Sequence, residues 1–172
     1  MTDSPDARRA ATAISVEIGL DLSYFTDESE RNFLPLALPI GYVLLQWFAE
    51  GVVTGAGEAA GAQAEREVAG AVEELGTRVR RLFGRHKTTP EADAAVEQEV
   101  AAEARAALTN GQQTLAAKGA EQVACVADAY EQALVGYLTD DGMPARDAVR
   151  IAQRVRAEAG IELRLSPAAS PG

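Results

Sequence analysis

Few residues in this chain have the types that enzymes use for covalent or metal chemistry. Among 172 residues there is one histidine, His86, and one cysteine, Cys125. An activated nucleophile needs a base within hydrogen-bond reach, and a structural zinc site needs four nitrogen or sulfur ligands. His86 lies in a basic linker, and Cys125 lies between Ala124 and Val126 of a predicted helix. We therefore expect a protein that is not an enzyme and that binds neither a metal ion nor a cofactor.

One glycine pattern has the spacing of a phosphate-binding loop. Gly55-Ala-Gly57-Glu-Ala-Ala60 matches the G-x-G-x-x-G/A fingerprint of dinucleotide-binding folds. That fingerprint works only between a strand and a helix of a parallel sheet, with an acidic residue about 20 positions later. No alternating strand and helix units follow it in the rest of the chain. The pattern is therefore interpreted as part of a helix surface made of small residues.

The most distinctive segment is an uncharged run from Asn32 to Ala49, NFLPLALPIGYVLLQWFA. A membrane-spanning helix needs ~20 apolar residues. Two prolines, Gln46 and the following Glu50 oppose insertion, so the run is marginal as a membrane span. It therefore fits either lipid or the interior or interface of a helical protein. The residues predicted to contact a membrane or a protein partner are Leu36, Ile40, Val43, Leu44, Trp47 and Phe48.

Small residues follow this run in two small-xxx-small patterns. The first is formed by Gly51 and Gly55, and the second by Gly57 and Gly61. Such patterns let two helix backbones approach closely in a membrane, and they do the same in a soluble bundle. We predict that these four glycines associate helices. We also expect a homo-oligomer, or a helical protein partner, at this face.

The densest basic cluster lies at the end of a predicted amphipathic helix. Its members are Arg78, Arg80, Arg81, Arg85 and Lys87. Cations at this position either complement the negative end of the helix dipole or contact anionic lipid headgroups. The net charge of −10 argues against a nucleic-acid partner.

A basic stripe lies on the last predicted helix, where Arg146, Arg150 and Arg154 follow one another at a spacing of four. Acidic residues dominate the preceding region, 88–141. We expect an acidic helix that starts near residue 91 to pack beside the stripe, because their charges are complementary.

Two segments alternate between apolar and polar residues and predict β-strands. They are residues 14–24 and residues 161–165. A single strand leaves its backbone hydrogen-bonding groups unpaired. We therefore expect these two segments to form a two-stranded sheet, within one chain or between two subunits.

The remaining pattern predicts a mainly α fold: a helical bundle with one long hydrophobic and Gly-rich helix. We expect a single helical domain over residues 1–165, followed by a disordered tail at 166–172. Gly160 is predicted to end the last helix as a left-handed cap. The predicted helices are about 39–83, either continuous or broken among the glycines at 51–61, and about 90–108, 112–138 and 144–159, with a linker at 84–89.

The N-terminal region does not resemble a secretory signal peptide. We therefore expect a protein of the cytoplasm, or of the cytoplasmic side of a membrane, that is not secreted. The leading functional hypothesis is a non-catalytic helical protein that inserts into or docks on a membrane through segment 33–61. The alternative is a soluble helical adaptor or scaffold, in which the same segment is the core helix or a partner interface.

Overall fold

The computed structural model describes residues 6–19, 30–56, 62–85, 90–116, 118, 120–140 and 142–163. These residues form α-helices and include no strand, so the mainly α class is confirmed. The helices are α1 (Ala7–Gly19), α2 (Glu30–Ala56), α3 (Ala62–Arg85), α4 (Pro90–Leu115), α5 (Ala120–Asp140) and α6 (Ala145–Glu162).

The hydrophobic helix α2 lies at the centre of the bundle. It packs against each of the other five helices. Every side chain from Pro39 to Ala49 is buried, including the largest apolar ones. A helix that is apolar on all sides is stable in water only when its whole circumference is covered. The arrangement of the other helices around α2 meets this requirement.

The start of α2 differs from the sequence prediction. The helix begins at Glu30 and continues through Pro35 and Pro39, whereas we expected a start near Pro39. Each proline lacks one backbone N–H donor, and a proline inside a helix costs about 3 kcal/mol. The residues from Ile40 to Phe48 are buried, and burial of one large apolar side chain contributes about 1.5–3 kcal/mol. Packing of this stretch therefore offsets the loss of two backbone hydrogen bonds.

The predicted helix 39–83 is divided into two helices. α2 ends at Ala56 and α3 begins at Ala62, while residues 57–61 lie outside the described residues. Trp47 connects the two helices, because its indole N–H donates a hydrogen bond of 2.7 Å to the carbonyl of Ala71.

The two predicted strands are wrong within the described residues. Residues 14–19 belong to α1, and residues 161–162 belong to α6. Ile14 and Ile18 are buried while Val16 is 58% exposed, so the buried face repeats every four residues. Two apolar residues four positions apart fit both a strand and a helix. The alanines that precede them lie on the same face only in a helix, so they distinguish the two structures. The buried face of α1 is Ala7, Ala10, Ala11, Ile14 and Ile18.

Two residues of the second predicted strand do not have the burial that alternation requires. Ile161 is 59% exposed, whereas Glu162 is buried. Residues 20–24 and 164–165, the remaining parts of the predicted strands, lie outside the described residues, as does the predicted tail 166–172. Gly160 lies inside α6, which continues to Glu162, so the predicted left-handed cap at Gly160 is also wrong.

A left-handed glycine does end α5. Gly142 has a φ of 104°, which glycine adopts without steric cost. Its N–H donates to the carbonyl of Thr139, and the N–H of Met143 donates to the carbonyl of Leu138. This pair of bonds is the Schellman motif, which satisfies the last carbonyls of a helix. Met143 and Leu138 are both buried, as the apolar contact of that motif requires.

The phenol of Tyr42 on α2 is buried, with 3% of the residue's surface exposed. Burial raises the pKa of Tyr42 above its ordinary value of 10.0. The charge of Glu97 on α4 raises this pKa further, while the charges of Arg8 and Arg105 lower it. The phenolate form of Tyr42 is therefore disfavoured in the folded state.

Alkaline pH should destabilise the protein through Tyr42. Above pH ~10 the unfolded chain loses a phenol proton that the folded chain keeps, so the free energy of unfolding falls as pH rises towards the folded pKa. Urea unfolding between pH ~9 and pH ~11 measures this slope. The variant Tyr42→Phe should have a shallower slope, because it lacks the titrating group. Equal slopes for the two proteins would contradict the assignment to Tyr42.

Candidate functional site

The side chains predicted to face lipid or a partner are buried against the chain's own helices. Ile40, Val43, Leu44, Trp47 and Phe48 are each no more than 3% exposed. The sixth predicted residue, Leu36, belongs to α2, but its side chain lies outside what the structure describes. The five described side chains therefore contribute to the core in this structure.

Trp47 is the central aromatic contact of the bundle. Its ring meets that of Tyr130 on α5 edge to face, with ring centroids 5.3 Å apart and an interplanar angle of 65°. Aromatic pairs of this geometry contribute about 0.5–1.5 kcal/mol beyond their buried area. Together with its hydrogen bond to Ala71, this contact joins α2 to both α3 and α5.

The first glycine pattern lies against α5 of the same chain. A Cβ atom on Gly51 would overlap the ring of Tyr130, and one on Gly55 would lie 2.5 Å from a methyl carbon of Val126. These two glycines therefore permit the close packing of α2 against α5. Gly57 and Gly61 lie outside the described residues. Association of the glycine face with a second copy stays a prediction.

The basic cluster is divided between one paired arginine and two exposed ones. Arg78 pairs with Glu74 at 2.6 Å and with Glu50 of α2 at 3.2 Å. Arg80 and Arg81 are exposed. Arg85 ends α3, but its side chain is not described, and Lys87 lies outside the described residues.

Arg78 is held where α2 and α3 meet. Burial lowers the pKa of Arg78, but the carboxylates of Glu50 and Glu74 more than offset this effect, so the pKa is raised overall. Gln46 donates a hydrogen bond of 2.7 Å to Glu50 and so holds that carboxylate in place. One nitrogen of Arg78, Nη1, is buried without a hydrogen-bond partner. Arg78 is therefore a structural residue of the α2–α3 contact in this structure.

A chain of ion pairs with alternating charge joins α1 to α6, and we refer to it as the ionic seam. Successive members are in contact along the boundary between the two helices. In the order of contact, the members are Asp147, Arg150, Glu17, Arg154, Glu158, Arg9 and Glu162.

Arg9 of α1 bridges two carboxylates that are one turn apart on α6. Its Nη1 lies 2.5 Å from Glu158, and its Nη2 lies 2.5 Å from Glu162. The side chains of Glu158 and Glu162 are only 6% and 10% exposed, whereas that of Arg9 is 43% exposed. Hydrogen bonds to Glu162 and then to Glu158 raise the pKa of Arg9. Two largely buried carboxylates thus share one cation that reaches the surface.

Two turns after Arg9, Glu17 of α1 is one carboxylate that pairs with two arginines of α6. Its carboxylate accepts a hydrogen bond of 2.8 Å from Arg150 and one of 3.2 Å from Arg154. Arg150 also pairs with Asp147 of its own helix at 2.9 Å. Because Arg9 faces the end of α6 and Glu17 faces its beginning, the two helices are antiparallel.

The end of the ionic seam is tied to the rest of the fold by backbone groups. The backbone N–H of Asp6 donates to the carboxylate of Glu162 at 2.7 Å. The Asp6 side chain caps α1 by accepting a hydrogen bond of 2.9 Å from the N–H of Arg9. Gln112 of α4 donates to the backbone carbonyl of Glu162 at 2.5 Å. Glu162 thus connects α6 with the start of α1 and with α4.

The sequence prediction located the arginine stripe but did not find its partner on α1. Arg150 and Arg154 pair with Glu17 of α1. The four-residue spacing of charged residues continues from Arg154 through Glu158 to Glu162 and indicates a charged face on this helix. The partner of this face could not be predicted, because the alternation of residues 14–24 places Glu17 in a strand.

A small apolar cleft of about 10 Å³ lies where α1, α2, α3, α5 and α6 converge, which is space for about one water molecule. Cys125 is exposed on α5, and His86 lies outside the described residues. In the part of the chain described, no three His, Cys, Asp or Glu side chains are grouped as metal ligands. The cleft is lined by Ile18, Ile40, Leu44, Val79, Tyr137, Leu138 and Ile151.

The chain matches no family model, and no curated protein and no solved structure matches it. Among the described residues, no helix combines the length and the apolar character that crossing a membrane requires.

Two glycine substitutions should have opposite effects on stability. Gly51→Ala should destabilise the protein by about 1–3 kcal/mol, because the added methyl group overlaps Tyr130 and forces repacking. Gly136→Ala on α5 meets open space and should stabilise the protein by about 0.5–1 kcal/mol, because alanine favours the helix. Urea unfolding measures both effects. Destabilisation of similar size in both variants would contradict the close α2–α5 contact.

Loss of the Arg9 cation should weaken the fold more than loss of an exposed ion pair. Arg9→Gln leaves Glu158 and Glu162 buried with fewer partners. Removing one partner of a fully buried pair costs about 3–5 kcal/mol, but Arg9 is partly solvated, so we expect about 1–3 kcal/mol. The control Arg156→Gln breaks pairs with Asp128 and Glu131 on α5 and should cost no more than about 1 kcal/mol. Equal losses in urea unfolding would contradict a special role for Arg9.

Proposed function

We propose that this protein is a non-catalytic helical adaptor or scaffold in which the hydrophobic segment is the internal core helix. The observation that carries the proposal is the burial of Leu44, Leu45, Trp47 and Phe48 beneath the chain's other helices. A protein of this kind acts through the outer faces of its helices, by binding other proteins.

The coverage of α2 favours this proposal over membrane insertion through segment 33–61. Insertion of the apolar run gains roughly 3–5 kcal/mol on a residue scale. If α2 moved into lipid, the faces that cover it would be left in water. Each large side chain exposed in this way costs about 1.5–3 kcal/mol, so two or three of them already offset the gain. Those side chains include Ile14, Val100, Leu108, Leu134 and Val155, all of which are buried.

The same coverage bears on the proposed oligomer. Gly51 and Gly55 already lie against Tyr130 and Val126 of α5. A second copy would therefore have to bind a different face unless α5 moved away. In the adaptor proposal the glycine pattern serves packing within the chain, and partners bind elsewhere.

A second candidate function is peripheral docking on an anionic membrane surface. The observation that favours it is the exposure of Arg80 and Arg81 near the end of α3. Lys and Arg side chains near a membrane contribute about 1 kcal/mol each. Arg78 is committed to Glu50 and Glu74, so it adds little to this surface.

The single tryptophan allows these functions to be distinguished in one experiment. Trp47 is 3% exposed and lies inside the bundle. The detergent-free protein is mixed with phosphatidylglycerol-containing vesicles whose acyl chains carry bromine, and the vesicles are floated on a gradient. For the adaptor we expect the protein to stay in the soluble fraction, with unquenched Trp47 emission.

The other outcomes identify the competing functions. Flotation with quenching of Trp47 would contradict the proposal and support insertion of segment 33–61. Flotation without quenching would support surface docking, provided that it is lost in the double variant Arg80→Glu/Arg81→Glu. The matched control Arg8→Glu changes an exposed arginine on α1 and should leave any α3-dependent binding intact.

A further inference from the structure

Helix α1 contributes few large apolar side chains to the core. Of its buried residues only Ile14 and Ile18 are large, and Ala7, Ala10 and Ala11 make up the rest of its buried face. Ala11 lies directly on α2, where a Cβ on Gly41 would lie 2.6 Å from its carbonyl oxygen. The contact of α1 is therefore close but poor in apolar surface, and polar contacts carry more of it than they do for α5.

If α1 separated from α6, the charged groups that pair between the two helices would reach water and would not stay buried without a partner. The carboxylates of Glu158 and Glu162 are only 6% and 10% exposed, whereas Arg9 and Arg154 are 43% and 44% exposed. If α1 moved away, Glu158 and Glu162 would become accessible to water. Two pairs are internal to α6, Asp147 with Arg150 and Arg154 with Glu158, and these would persist.

A boundary of this kind is typical of reversible contacts. Replacing a buried ion pair by apolar residues is often neutral or stabilising, so a buried charged boundary is not the arrangement that holds a helix most firmly. Contacts that form and separate have polar, solvated edges, whereas permanent ones resemble a protein core. Without α1, α2 keeps its contacts with α3, α4, α5 and α6.

We propose that α1 is a releasable strap: residues 7–19 separate from α2 and α6 as one unit, under the control of the ionic seam, while the other helices stay packed. Release exposes the Gly41 face of α2 and the carboxylates of Glu158 and Glu162 on α6. The strap is thus a conformational device built into the fold. It does not depend on the adaptor proposal, since it concerns contacts within the chain.

Hydrogen–deuterium exchange on the full-length protein tests the strap directly. Amides of a unit that opens below the global unfolding free energy exchange faster than core amides. We expect the amides of α1 to exchange at least about tenfold faster than those around Leu134 of α5. Raising NaCl from about 0.1 M to about 1 M shortens the Debye length from about 10 Å to about 3 Å. This change should accelerate α1 exchange selectively.

Two variants act on opposite ends of the ionic seam. Arg9→Gln removes the cation shared by Glu158 and Glu162, and Glu17→Gln removes the anion shared by Arg150 and Arg154. Each should accelerate exchange uniformly across the whole of α1 by about tenfold, with α1 still exchanging faster than α5. The control Arg156→Gln, which breaks pairs between α5 and α6, should leave α1 exchange unchanged.

Three results would overturn the proposal. The first is exchange of α1 and α5 at the same rate in the wild type, which means that they open only together. The second is α1 exchange that does not change in Arg9→Gln, which means that the ionic seam does not control the opening of α1. The third is acceleration confined to the turn beside each substituted residue, which means local fraying and not release of a unit.

Discussion

The fold depends on one constraint: a helix that is apolar around its whole circumference must be covered from every side. α2 is buried without interruption from Pro39 to Ala49, and each of the other helices contacts it. Where a neighbouring helix lies closest to the backbone of α2, the residue of α2 at the contact is glycine. Gly41 faces α1, and Gly51 faces Tyr130 of α5. The sequence of α2 thus sets both how many neighbours it needs and how near they lie.

Polar groups that enter this apolar interior are held by specific partners. The indole N–H of Trp47 donates to the carbonyl of Ala71, and Gln46 donates to Glu50, which in turn pairs with Arg78. Buried polar groups are costly when they lack a partner, so each of these contacts restricts how α3 can lie on α2. Apolar contacts determine that α2 is covered, and the polar contacts determine the orientation of the covering helix.

The sequence predicts the helical class because most segments have one strong helical period. The seam of Val68, Val72, Leu75 and Val79 in α3 is an example. The sequence prediction is wrong at α1, because Ile14 and Ile18 fit the period of a strand as well as that of a helix. The residues that distinguish the two are alanines, which contribute little to a hydrophobic pattern. Gly111 and Gly160 predict helix ends by local preference, but both lie within helices. Gly111 is buried beside Leu163, a tertiary contact that no local pattern contains.

The candidate site is likewise only partly predictable from the sequence. Charge complementarity identifies Arg150 and Arg154 as binding groups, but their partner Glu17 lies far away in the chain, and spacing does not reveal it.

The ionic seam has seven members and carboxylates at both ends, so its connectivity is that of an open chain with Arg154 as its midpoint. A loss at either end shortens it to a neutral chain of six. Without Arg154 it separates into two triads, Asp147–Arg150–Glu17 and Glu158–Arg9–Glu162, each with a net charge of −1. Two like-charged fragments repel where a continuous chain attracted. Neutral substitutions should therefore accumulate first at the Asp147 end, and Arg9, which contacts the two most buried carboxylates, should tolerate the fewest.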